Sequence, residues 1–148
     1  MTIREMEVND ANTLAALEQQ YFSDPWTAEG YLDSIGRPGI LYLVAEEDGS
    51  VVGEVGLRAV LDEGEITNVC VSKEYRGRHI AMELTEELMR RGRAMGVSSF
   101  TLEVRAGNAP AIALYERLGF LREGIRPRFY TNPTEDALIY WKREESEC

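Results

Sequence analysis

Asn68-Val69-Cys70-Val71-Ser72-Lys73-Glu74-Tyr75-Arg76-Gly77-Arg78-His79-Ile80-Ala81 decides how the rest of the chain is read. An apolar strand, Ile66 to Val71, runs into a short basic turn containing glycine, and the turn opens directly into a long helix. Ile80, Leu84, Leu88 and Met95 recur at helical spacing and carry that helix to about Gly96. Backbone N–H groups in the first turn of a helix lack an intrahelical acceptor and carry partial positive charge, so such a junction suits phosphate oxygens. Lys73, Arg76 and Arg78 concentrate positive charge here although the chain as a whole has a formal net charge of −10. A solvated basic turn is the plain alternative. The placement between strand and helix favours phosphate binding.

Outward from this junction the chain alternates short elements. Upstream, Asp10 is placed to cap a helix through about Gln20, with Leu14 and Leu17 on one face. Ser23 or Asp24 followed by Pro25 reads as an N-cap with proline at the first helical position, which predicts a second helix to about Ser34, ended by Gly36-Arg37-Pro38-Gly39. Leu41 to Ala45 is a strand, Asp48-Gly49 a hairpin turn, and Val51 to Val60 the antiparallel partner. Downstream, Ser99 to Val104 alternates as a strand. Asn108 caps a helix with Pro110 in its first turn and Gly119 just past its end. Strands from about Phe120 to Arg126 and Ala137 to Lys142 flank a loop containing Asn132-Pro133. The order β-α-α-β-β-β-α-β-α-β-β predicts one α/β domain over residues 1–148, with a mixed, mostly antiparallel sheet flanked by helices.

Composition narrows the function classes. The chain has 148 residues, 44% hydrophobic and 28% charged, as in an ordinary globular domain. No apolar run approaches the roughly 18–20 residues of a membrane span, and Met1 to Glu7 is too acidic for a signal peptide, so a cytoplasmic protein is expected. The acidic balance disfavours nucleic acid and anionic membranes and mildly attracts cationic substrates. Cys70, inside an apolar strand, and Cys148, the last residue, form no metal or redox spacing, and a disulfide between them is not expected. His79 is the single histidine, which argues against a His-rich metal site. The acidic tail 143–148 is expected to fray.

A second stretch, Leu102-Glu103-Val104-Arg105-Ala106-Gly107-Asn108-Ala109-Pro110-Ala111-Ile112-Ala113-Leu114-Tyr115-Glu116-Arg117-Leu118-Gly119-Phe120, passes from strand to helix. Glu103 stands between two apolar residues that must face the core, so it projects from the other face. Taken alone, Glu103 is a solvated carboxylate and Tyr115 a packed helix residue. Trp26, after Asp24-Pro25 at a helix start, reads by itself as core or a staple.

Taken together, the two stretches resemble the GNAT acetyltransferase superfamily, whose acetyl-CoA site follows an Arg/Gln-Xaa-Xaa-Gly-Xaa-Gly/Ala pattern, here Arg76-Gly77-Arg78-His79-Ile80-Ala81. Within it the chain is similar to the RimI-type ribosomal-protein-alanine N-acetyltransferases over nearly its whole length, from Asp24-Pro25-Trp26-Thr27 to Ile125-Arg126-Pro127-Arg128-Phe129-Tyr130 and Glu135-Asp136-Ala137. Two positions depart from the pattern. His79 stands where the family has glycine, which predicts weaker cofactor binding because a Cβ restricts positive φ. Tyr130 is followed by Thr131-Asn132-Pro133 where the family often has Pro directly.

The resemblance implies direct acyl transfer from acetyl-CoA to an amine, with no metal and no covalent enzyme intermediate. It implies Glu103 as general base and Tyr115 as general acid for the leaving thiolate. It also implies that the segment of Trp26 forms one wall of the acceptor groove. Acetyl-CoA would be held by Val69, Cys70, Val71, Arg76, Gly77, Arg78, His79, Ile80, Ala81, Met82 and Asn108, with the strand Val69 to Val71 also supplying an oxyanion donor. Cys70 is not expected to act as a nucleophile, because nothing activates it and direct transfer needs none. The implied acceptor is a protein N-terminus, the alanine of a small-subunit ribosomal protein, and the implied state a monomer or weak dimer. Another protein N-terminus, a small amine, and a CoA-binding module without turnover stay open.

Overall fold

The computed structural model describes residues 1–22, 25–131 and 133–143. The proposed caps Ser23 and Asp24, Asn132, and the tail from Glu144 to Cys148 lie outside the described residues. The elements are β1 (Thr2–Glu5), α1 (Ala11–Tyr21), α2 (Ala28–Ser34), β2 (Ile40–Glu47), β3 (Ser50–Val60), β4 (Glu63–Val71), α3 (Ile80–Ala94), β5 (Ser99–Arg105), α4 (Ala109–Arg117), β6 (Leu121–Tyr130) and β7 (Glu135–Arg143). The seven strands form one sheet in the order β1-β2-β3-β4-β5-β7-β6. Among the described residues only β4 and β5 run parallel; every other neighbouring pair is antiparallel.

Strand alternation divides the core between the two faces of this sheet. On one face α3 and α4 cover Leu43, Ala45, Val55, Leu57, Phe100, Leu102 and Val104, joined by Leu84 and Leu88 of α3 and Tyr115 of α4. On the other, α1 and α2 bring Leu14 and Tyr31 against Tyr42 and Val44. Asp48 and Gly49 both take positive φ (52° and 79°), the requirement of a type I′ hairpin turn, which fixes the β2–β3 register.

Three local expectations are corrected. The second helix begins at Ala28, not Pro25: Thr27 is its N-cap, its side chain accepting from the Gly30 amide at 3.1 Å. Pro25 and Trp26 lie ahead of the helix, where the Trp26 amide donates to Glu18 of α1. Asp10 precedes α1 as expected, but its carboxylate does not cap that helix; it accepts from the Glu7 amide and pairs with Arg4 at 2.8 Å. Met95 lies past the end of α3 and is 46% exposed, so the buried stripe of that helix is Ile80, Leu84 and Leu88, completed by Met89.

Candidate active site

Parallel β4 and β5 pair only at their start, at Glu63↔Ser99, Gly64↔Phe100 and Glu65↔Thr101. Beyond that point β3 holds β4 as far as Val71, and β7 holds β5 as far as Arg105. The two strands therefore splay, leaving facing backbone edges without a strand partner. The wedge opens into a cleft of about 950 Å³ walled by Ile66–Val71 on one bank and Leu102–Arg105 on the other. The start of α3, Asn108 and Tyr115 also line it, as do Glu18, Tyr21 and Trp26 from the α1–α2 side.

On the β4 bank the turn delivers the chain to α3 through two left-handed residues, Gly77 (φ 82°) and His79 (φ 61°, ψ 19°), the latter being the N-cap. At the position where the sequence pattern has glycine, the histidine itself adopts the left-handed conformation that glycine takes at least cost. The amides of Ile80, Ala81 and Met82 occupy the first helical turn, at the cleft wall. Arg76 is committed to structure: its Nε donates to the Val71 carbonyl at 3.1 Å and its guanidinium lies 4.4 Å over the Tyr21 ring. Tyr21 in turn accepts from the Lys73 amide at 2.8 Å, tying α1 to the turn. Of the cofactor residues expected from sequence, Arg78 alone is not brought to the cleft wall; its guanidinium sits 5.0 Å over the Tyr75 ring.

On the β5 bank Glu103 alternates away from buried Leu102 and Val104, as the sequence requires, and Arg126 Nε approaches its Oε1 at 3.3 Å. Tyr130 stands nearby, its phenol pushed up to about 12 by burial and by the Glu103 charge. Arg105 stacks 4.4 Å over Tyr130 and donates to the carbonyls of Thr131 and Pro133, fixing the turn between β6 and β7 against the cleft. Asn108 caps α4 by accepting from the Ala111 amide at 3.3 Å. That cap presents Tyr115 inward: its ring meets Phe120 edge-on at 5.9 Å, and burial pushes its phenol up, so it stays protonated throughout the neutral range.

Sequence reading missed an acidic pair beneath the β4 bank. Glu18 of α1 and Glu54 of β3 are 2% and 0% exposed. The Tyr31 hydroxyl donates to both Glu54 oxygens, at 2.7 and 2.9 Å, and the Trp26 amide donates to Glu18 Oε1 at 3.1 Å. Burial first, and then the neighbouring Glu18, raise Glu54 well above the usual carboxylate range. Cys70, the register partner of Glu54, is pushed up to about 12 by burial and the two carboxyls, so it is a thiol and no nucleophile. One signal was available: Glu18 follows Leu14 by four residues, on the buried stripe of α1.

The model of the acetyltransferase (GNAT) family matches residues 11–120. The [ribosomal protein bS18]-alanine N-acetyltransferase of Escherichia coli is 33% identical over 140 residues, covering 93% of this chain and 94% of that protein. The N-alpha-acetyltransferase RimI of Mycobacterium tuberculosis is 35% identical over 152 residues, covering 99% and 93%. The crystal structure of the Escherichia coli ribosomal-protein-S18-alanine N-acetyltransferase superposes with a TM-score of 0.88 at 32% identity, covering 99% of this chain and 96% of that one.

Proposed function

The chain belongs to the acetyltransferase (GNAT) family and is an acetyl-CoA-dependent acetyltransferase, and we propose that its acceptor is the α-amino group of a protein N-terminus, the terminal alanine of a small-subunit ribosomal protein. What carries this reading is similarity along nearly the whole chain to enzymes named for that acceptor, including the segments that wall the cleft.

The residues present suit the donor. A pyrophosphate would lie against the amides of Ile80, Ala81 and Met82, where the helix end favours anions. The residues that would hold a pantetheine arm are those of the wedge, Val69–Val71 and Leu102–Val104, with Asn108 also on the cleft wall. Bound acetyl-CoA supplies an acetyl group activated as a thioester. The amide edge of Val69 to Val71 that faces the gap can donate to the acetyl oxygen as negative charge develops there. A free α-amine has a pKa of about 7.7–8.0, so much of it is protonated at neutral pH and needs a base. Glu103 accepts that proton, directly or through a water. Tyr115, held protonated by burial, returns a proton to the departing sulfur.

An acetylation panel tests the acceptor. Peptides beginning with Ala and continuing as the N-terminus of ribosomal protein bS18 should be acetylated at the α-amine. The same peptides with a blocked terminus and a free lysine, and small primary amines, should be turned over far more slowly. Preferred turnover of a small amine, or saturable acetyl-CoA binding with no turnover of any acceptor, would overturn the reading.

A further inference from the structure

Register places one arginine diagonally across β7 from Glu103. The row through Glu103 runs to Ile139 on β7 and ends at Gly124 on β6, so β6 offers no side chain directly in line. The next row on the same face is Arg105, Ala137 and Arg126. Ala137 is buried and small, and Arg126 reaches over β7 beside it until its Nε lies 3.3 Å from Glu103 Oε1. The end of β6 is shaped to keep it there. Register jumps from Arg126↔Ala137 to Tyr130↔Glu135, so Pro127, Arg128 and Phe129 oppose Asp136 alone, a bulge of the kind that re-aims side chains. Arg128 takes φ 54°, and its amide donates to Asp136 Oδ1 at 3.0 Å. Phe129 then stands with its ring 5.5 Å from the Arg126 guanidinium and edge-on to Tyr130 at 5.1 Å. Among the described residues no hydrogen bond or ion pair engages Glu103 Oε2, and Glu103 is part of the cleft wall. The last torsion of a glutamate is broad, so a carboxylate with neither oxygen held presents no fixed plane.

We propose that Arg126 is a positioning residue for the acetyl transfer: it holds Glu103 Oε1 and leaves Oε2 to meet the acceptor amine. The inference rests on Glu103 being the base. In that step an N–H bond of the ammonium breaks, its electron pair stays on nitrogen for attack on the acetyl carbon, and the proton forms an O–H bond at Oε2, directly or through a water. Oε1 is the poorer site for that proton, because a guanidinium is always charged and has only donors to offer.

A double-mutant cycle on Arg126 and Glu103 separates positioning from a merely structural role. The Arg126 side chain is 57% exposed, so Arg126→Met, which keeps the apolar stem, should fold as the wild type does. With chemistry shown to limit the rate, it should lower kcat on an Ala-initiated peptide about tenfold, while peptide KM and acetyl-CoA affinity each stay within about twofold. In the Glu103→Gln background the same change should alter kcat less than about twofold, because no base is left to position. Arg122→Met removes the same charge from the other face of β6 and should leave kcat unchanged. A wild-type kcat in Arg126→Met, an equal proportional loss in both backgrounds, or an equal loss in Arg122→Met overturns the inference alone. A wild-type rate in Glu103→Gln itself removes the base assignment, and this inference with it.

Discussion

The two banks of the cleft are built on different principles. The β4–α3 bank offers backbone: the splayed strand edge and the first-turn amides of a helix, with Arg76 at the cleft wall tied to the Val71 carbonyl and Arg78 resting on Tyr75 off the wall. The side proposed for the acceptor offers side chains: Glu103 and Tyr130 across the gap, Glu18 of α1 and Trp26 ahead of α2, with Glu54 of β3 fully buried. Backbone suits an anion whose shape never varies and costs no titration. Side chains suit proton movement and discrimination, but bury charge that the fold must tolerate. The contrast predicts that substitutions on the acceptor side alter turnover and pH behaviour, and that those on the β4–α3 bank alter cofactor affinity by small amounts.

The largest effects should come from Glu103 and Tyr115. Glu103→Gln should lower kcat by about 10²–10⁴-fold with acetyl-CoA affinity unchanged, as expected for a general base that touches the amine and not the nucleotide. Tyr115→Phe keeps the ring contact with Phe120 and loses only the hydroxyl, so it should fold normally and lose activity toward the lower end of that range. Steady-state kinetics on an Ala-initiated peptide, with chemistry shown to limit the rate, decides both. Near wild-type rates would remove the division between banks.

Next in size is a cost in stability on the acceptor side. Glu54 is raised in the folded state, so it stays protonated where the unfolded chain has already ionised. Its contribution to stability is complete below the ordinary carboxyl value of 4.5 and is lost as pH rises toward the folded value. Glu54→Gln lacks this titration. Its stability relative to wild type should grow with pH above that value by up to about 1.4 kcal/mol per pH unit. Cys70 does not blur the window, because its thiol titrates only near 12. Urea unfolding between pH 4.5 and 8 measures the difference. A gap independent of pH would mean that burial does not hold Glu54 protonated in the folded state.

The same division explains what sequence could reveal. The β4–α3 bank is contiguous, residues 68–82, and is built from a strand, a turn and a helix start, so its place at the cleft was legible. Glu103, Asn108 and Tyr115 were legible for the same reason, since one strand–helix unit carries them. The acidic pair was not, because it joins residues 36 positions apart through the packing of α1 against β3. The late start of α2 has the same origin: Pro25 looked like a first helical residue, but Glu18, from the preceding helix, holds the Trp26 amide and leaves Thr27 to cap. Long-range hydrogen bonds override local signals where the local signals are weak.

Smaller effects should separate the two arginines of the turn. Arg76→Ala removes the tie to the Val71 carbonyl and the stacking on Tyr21, loosening the edge that faces the wedge. Acetyl-CoA affinity should fall about fivefold, near 1 kcal/mol. Arg78→Ala, whose guanidinium rests on Tyr75 outside the cleft wall, should cost less than about twofold, through screened long-range charge alone. Calorimetry at low and moderate salt checks this. Equal losses would show that net charge, rather than the position of Arg76, sets the affinity of this bank.

The smallest expected effect, and the sharpest test of a backbone-built bank, is His79→Gly. At φ 61° and ψ 19° His79 occupies the left-handed region, which costs an L-residue roughly 1–2 kcal/mol. Glycine relieves that cost but adds about 0.5–1 kcal/mol of unfolded-state entropy. The net gain should be about 0.5 kcal/mol, a rise in Tm of about 1–2 °C for a domain of this size. If the amides of Ile80, Ala81 and Met82 do the binding, losing the imidazole leaves the path of the turn unchanged and acetyl-CoA affinity equal or slightly higher. A clear loss of affinity without loss of Tm would instead make the His79 side chain a ligand contact. The β4–α3 bank would then read its anion partly through a side chain, and the contrast between the two would narrow to one of degree.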